Sequence, residues 1–103
     1  MATRVEHVNL TLDGSAQALP AFTRAHEIHI QADPTNVGPV FVGGPGVTTT
    51  TYGVRIPIPV SSIPAPPFIV GPHPNTRSLV SSDFFVRGTI SDVIHILVIS
   101  YMP

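Results

Sequence analysis

The stretch Glu27-Ile28-His29-Ile30-Gln31-Ala32 decides the fold class. Its apolar and polar residues alternate with period two. Ile28, Ile30 and Ala32 therefore share one face and Glu27, His29 and Gln31 the other, the pattern of a strand with one buried side. Asp33-Pro34-Thr35-Asn36 then stops the strand with turn residues. Upstream, Val8-Asn9-Leu10-Thr11-Leu12 alternates in the same way and is closed by Asp13-Gly14-Ser15, with a short piece, Ala16 to Leu19, ending at Pro20.

Downstream, Val40-Phe41-Val42 reads as a third strand between Gly38-Pro39 and Gly43-Gly44-Pro45-Gly46. The run Thr48 to Thr51 is β-branched throughout and is expected to be extended. Asp83-Phe84-Phe85-Val86-Arg87 reads as another strand, followed by turns at Gly88-Thr89 and Ser91-Asp92. The last segment, Val93-Ile94-His95-Ile96-Leu97-Val98-Ile99-Ser100-Tyr101, is apolar on both faces. Such a strand is expected to be central and covered on each side, here with one cover from another copy. The expected fold is all-β: a single domain over residues 1–103, a compact antiparallel sandwich or barrel of about seven or eight strands.

Residues 55–75 interrupt that pattern with prolines at 57, 59, 64, 66, 67, 72 and 74. A central strand does not tolerate so many missing amide donors, so the segment is an edge strand, a polyproline-like arm or a long loop. It is also apolar, through Ile56, Ile58, Val60, Ile63, Phe68, Ile69 and Val70. An apolar arm that does not pair internally is expected to lie across a neighbour, and these seven residues are its candidate interface.

Composition narrows the function classes. Of 103 residues only 11% are charged, the net charge is -1, and the five basic residues are all arginine. A soluble domain averages roughly 25% charged residues. Scattered arginines without a basic stripe disfavour phosphate recognition, so no nucleic-acid partner is expected. Ten threonines and eight serines supply polarity but no repulsion between molecules. The surface is therefore expected to be partly covered by other subunits. The chain has no cysteine, which removes disulfides, thiolate metal sites and cysteine nucleophiles. The start lacks a signal-peptide core, and the apolar run from Val93 to Met102 is about half the ~20 residues a bilayer helix needs. No membrane partner is expected.

No constellation carries chemistry by spacing. His26 and His29 are three apart, so on a strand they face opposite ways, and only Glu27 and His29 share a side. His7 joins them only if its strand lies alongside. His95, within the apolar last strand, reads as a buried histidine with one bonded nitrogen, or as a pH-sensitive contact. Gly43-Gly44-Pro45-Gly46 lacks the lysine and following helix of a phosphate loop and reads as a turn. Asp13, Asp33, Asp83 and Asp92 sit beside turn residues, where local bonding to backbone accounts for them. No Gly-x-Ser-x-Gly elbow is present. The expectation is no enzyme, no cofactor and no metal.

Two blocks of sequence carry a resemblance. The first is Val8-x-Leu10-x-Leu12, then Ile28-x-Ile30-Gln31-Ala32-Asp33-Pro34-x-Asn36-x-Gly38-Pro39-Val40-Phe41-Val42-Gly43-Gly44 and Val47-Thr48-Thr49. The second is Asp83-Phe84-Phe85-Val86-Arg87-Gly88-Thr89 with Asp92-Val93-Ile94-His95-Ile96-Leu97. Together they resemble small virion structural proteins of tailed bacteriophages, over most of the chain apart from the proline-rich stretch. The resemblance implies an all-β structural protein that assembles on a phage particle, often as a symmetric oligomer, and it brings no catalytic residues.

The leading expectation is a capsid decoration, or cement, protein on the virion surface, made in the host cytoplasm. It would form a homo-oligomer, expected to be a trimer, and bind the major capsid protein to stabilise the head. The alternatives are a neck, tail or fibre-base component, and a glycan-binding β module. The last is poorly supplied, with no tryptophan, two tyrosines and five phenylalanines.

Overall fold

The alternation at Glu27–Ala32 forms a strand as expected, in a computed structural model that describes residues 2–22, 25–58, 67–71 and 80–102. In chain order the strands are β1 (Ala2–Thr11), β2 (Gln17–Ala18), β3 (Glu27–Ala32), β4 (Val40–Gly43), β5 (Val54–Ile56), β6 (Phe68–Val70), β7 (Phe85–Arg87) and β8 (Val93–Met102). A 3-10 turn at Ser81–Asp83 precedes β7.

The strands form two four-stranded antiparallel sheets, ordered β1-β8-β3-β6 and β2-β7-β4-β5. Successive strands alternate between the sheets, except that β4 and β5 are neighbours within one. That order is the double Greek key of a jelly roll. The expected all-β sandwich of about eight strands is therefore the observed fold.

The core lies between the sheets and is filled by alternate residues, as period two requires. Ile28, Ile30 and Ala32 meet Ile94, Ile96 and Val98 from one sheet, with Val40, Val42, Val86 and Ile56 from the other. Leu12 and Leu19 close it beyond the ends of β1 and β2.

The turn after β3 is held by side chains rather than by chain stiffness alone. Asp33 accepts from the amide and hydroxyl of Thr35 at 2.9 and 2.5 Å. The Asn36 side chain donates to the Val93 carbonyl at 2.9 Å and accepts from the Val93 amide at 2.8 Å, as a neighbouring strand would. The buried Asp92 carboxylate accepts from the amides of Val37 and Gly38, both at 2.9 Å. Asp92 therefore does more than close its own turn: it ties the β3–β4 loop to the start of β8. The two blocks that carry the virion-protein resemblance are thus bonded to each other in space.

Three expectations about elements need correction. Strand β1 begins at Ala2, well before Val8. The Thr48–Thr51 run is a tight turn, not an extended segment. The Thr48 hydroxyl accepts from the Thr50 and Thr51 amides at 3.2 and 2.8 Å, and the Thr48 amide donates to the Thr51 carbonyl at 2.8 Å. Local hydroxyl-to-backbone bonding outweighs the β preference there. The segment 55–75 pairs internally at Arg55–Ile56 and Phe68–Val70, so the edge-strand alternative holds there and the expectation of an arm without internal pairing does not. Its first residues lie in β5, against β4, and Phe68–Val70 lie in β6, against β3. Each forms the edge of its sheet, which is where proline-flanked strands are tolerated.

Candidate assembly surface

The expected interface divides once its residues are placed. Ile56 is 2% exposed and belongs to the core, so it is withdrawn as a contact residue: on β5 it points inward opposite Val40. Phe68 and Val70 are half-buried against the core. Ile58 and Ile69 remain available, at 42% and 47% exposed. Val60 and Ile63 lie outside the described residues.

Ile69 has company. Cross-strand register puts His7, Leu97, His29 and Ile69 in one row across β1, β8, β3 and β6. Asn9, His95 and Gln31 form the next row, and Val5, Ile99 and Glu27 the row on the other side. Directly opposed residues share a face, so all of these lie on the outside of the first sheet. Inward neighbours Ile94, Ile96 and Val98 are fully buried, whereas Val93, His95, Leu97 and Ile99 are partly exposed. The last strand is central, as expected, but its outer face is not covered by the described residues. With Val5 at 58% exposed, this face presents an apolar ridge of Val5, Ile99, Leu97 and Ile69 among histidines and amides.

The polar groups on this face are organised. His95 Nε2 lies 2.8 Å from Asp33 Oδ2, and Nδ1 lies 2.7 Å from the side-chain oxygen of Asn9. The ionised carboxylate can only accept, so Nε2 donates to it. His95 thereby ties β1, β8 and the turn after β3 together, with both ring nitrogens engaged rather than one. Bonds from the Thr35 hydroxyl, the Thr35 amide and His95, in that order, hold the Asp33 carboxyl down at about 2. His29 Nε2 is 3.3 Å from Glu27 Oε1, the side sharing expected from their spacing. His7 is on the same face, but β8 stands between it and His29. Among the described residues no three histidines or acids are grouped to hold a metal ion. A shallow cleft of about 390 Å³ runs between these groups, lined by His7, Asn9, His29, Gln31, Pro67, His95, Ile96 and Leu97.

Val5, Leu97 and Ile99 were not among the residues singled out from sequence. Val5 is out of phase with Val8 and Leu10, and that phase break was the available signal. For Leu97 and Ile99 the signal was the apolar character of both faces of the last strand, which marked the strand without saying which side lacked a cover.

No protein-family model and no curated protein matches the chain. Among solved structures, it is similar to a chain from Bacillus endospore appendages, described as a novel family of disulfide-linked pili, with a TM-score of 0.51 and 16% identity over 99% of this chain and 88% of that one. At that identity the likeness speaks for the fold alone: the class defined here is an eight-stranded jelly-roll domain.

Proposed function

We propose that this protein is a structural subunit that works by assembly, and that its setting is a phage virion. There it would decorate the capsid, associating with its own copies, a trimer on our reading, and with the major capsid protein. The observation that carries this reading is the uncovered apolar ridge on the first sheet, in a chain with 11% charged residues. Fully burying an exposed side chain the size of valine or isoleucine contributes about 1.5–3 kcal/mol before ordering costs, so Val5 and Ile69 supply most of the contact and the exposed parts of Leu97 and Ile99 add to it. The sequence resemblance to small virion proteins supplies the setting. Neither consideration calls for a catalytic role.

The test is binding to particles. The wild-type chain should co-sediment with capsids, and Val5→Asp/Ile69→Asp should lose most of that binding while keeping its circular dichroism spectrum. Equal binding by the variant would remove the ridge from the contact. No binding by the wild type would remove the capsid decoration role.

A second reading is a subunit of a filamentous appendage, favoured by the likeness to the endospore pilus chain over nearly its whole length. Disulfide linkage of that kind is not open to this chain, which has no cysteine. Electron microscopy of the concentrated protein separates the two: filaments without particles favour the appendage.

A further inference from the structure

The outer face of the second sheet carries a feature that the apolar ridge does not use. Register places Phe41 of β4 between Arg87 of β7 and Arg55 of β5. The alternate residues Val40, Val42, Val86 and Ile56 fill the core, so the Arg87–Phe41–Arg55 row faces outward. Phe41 is nevertheless only 7% exposed, and the Tyr52 ring packs against it with centroids 4.9 Å apart. Arg55 is exposed and Arg87 partly so, and among the described residues neither forms an ion pair. Two guanidinium groups without carboxylate partners among the described residues thus flank an aromatic centre.

The first sheet's outer face has the opposite charge. It carries Glu27 and Asp33, and among the described residues no arginine. Arg4 lies on the other side of β1, 3.1 Å from Glu6. Bonds to His29 and His95 orient the two carboxylates on this face. One broad face of the sandwich is therefore anionic around an apolar ridge, and the other is cationic around an aromatic pair.

We propose that the arginine face of one copy docks on the histidine face of the next, with Arg55 and Arg87 directed at Glu27 and Asp33 and the Phe41–Tyr52 pair set against the Leu97–Ile69 ridge. This rests on the assembly reading above and names its partner surface. The contact is heterologous, so each added copy presents a fresh arginine face at one end and a fresh histidine face at the other. A row of copies closes into a ring only if each is turned relative to the last. The charges set orientation and register, and the apolar centres supply most of the burial.

The experiment is a charge swap read by sedimentation velocity. Arg55→Glu/Arg87→Glu makes both faces anionic, and Glu27→Arg/Gln31→Arg makes both faces cationic while keeping Asp33 in its turn and Val5 and Ile69 in the ridge. Each variant alone should self-associate more weakly by about tenfold or more. An equimolar mixture should recover assembly, because every contact then pairs opposite charges. Recovery also shows that both variants fold. The milder Arg55→Gln/Arg87→Gln variant, checked by circular dichroism, should weaken association and reduce its salt sensitivity. Unchanged association of either arginine variant would overturn the proposal and leave that face to some other acidic partner. Folded variants that stay apart in the mixture would also overturn it. In both cases the assembly reading survives, provided the wild type associates. A wild type that is monomeric at every concentration would overturn both.

Discussion

Asn36 shows how one side chain can act as a strand. Its amide group both gives to and takes from the backbone of Val93, 57 residues away, and it is buried there. Asn36→Ala would leave the Val93 amide without its acceptor, while the Val93 carbonyl keeps the Asp33 amide as a donor at 3.0 Å. An unsatisfied buried group costs about 1–3 kcal/mol, so the variant should lose about 2 kcal/mol in urea unfolding, with an unchanged m-value. A loss below about 1 kcal/mol would mean that water replaces the amide. Asp33, three residues earlier, yields a pH prediction. Its carboxyl, ordinarily near 3.8, is held at about 2 by the Thr35 hydroxyl and amide and by His95. Between those values the unfolded chain binds more protons than the folded one. The Asp33 contribution is therefore complete above about pH 4 and is lost as pH falls through about 2. Asp33→Asn should flatten the stability profile between pH 4 and 2, relative to wild type, in denaturant titrations at each pH. Parallel profiles would show that other carboxyls carry the acid sensitivity.

Elements were legible to the extent that their cause was local. Period-two alternation marked β3 and the second half of β1, and clusters such as Asp13-Gly14-Ser15, Asp33-Pro34-Thr35-Asn36 and Gly43-Gly44-Pro45-Gly46 marked the turns, because pleat and backbone freedom act within a few residues. The thread of long-range bonds was not legible: nothing near Asn36 says that its partner is Val93. Thr48–Thr51 misled because β propensity is weaker than a hydroxyl that can bond two amides two and three residues on. In the proline-rich segment, Val54-Arg55-Ile56 and Phe68-Ile69-Val70 each have only three residues, so prolines outnumber the pattern that would reveal two edge strands. The candidate interface went astray there for the same reason, since apolar content alone does not say which side of an edge strand a residue takes. That difference is measurable. Ile56→Asp places a carboxylate in the core beside Val40 and should unfold the domain at room temperature. Ile58→Asp, two residues on and 42% exposed, should change stability by less than about 0.5 kcal/mol. Equal effects of the two in a thermal melt would contradict the inward placement of Ile56.

At the scale of the whole molecule, the jelly roll solves the core and leaves the outside of both sheets to be explained. A small sandwich without lysine guards its sheets poorly against association. The ridge of Val5, Ile99, Leu97 and Ile69 adds an apolar face that the described residues do not cover. If copies cover it, assembly stabilises the folded state by mass action, and stability should depend on protein concentration. The wild-type melting temperature should rise by several degrees between micromolar and hundred-micromolar protein, in proportion to the free energy of the contact. Val5→Asp/Ile69→Asp should melt at the same temperature at all concentrations, and at high dilution it should match the wild type. Both positions lie on the outside of the sheet, where a carboxylate meets solvent and leaves no cavity. A dilute variant that melts well below the dilute wild type would mean that the ridge stabilises the single chain. A wild-type melt indifferent to concentration would mean that nothing in solution covers the ridge, and its occupant would then have to be a surface other than a second copy.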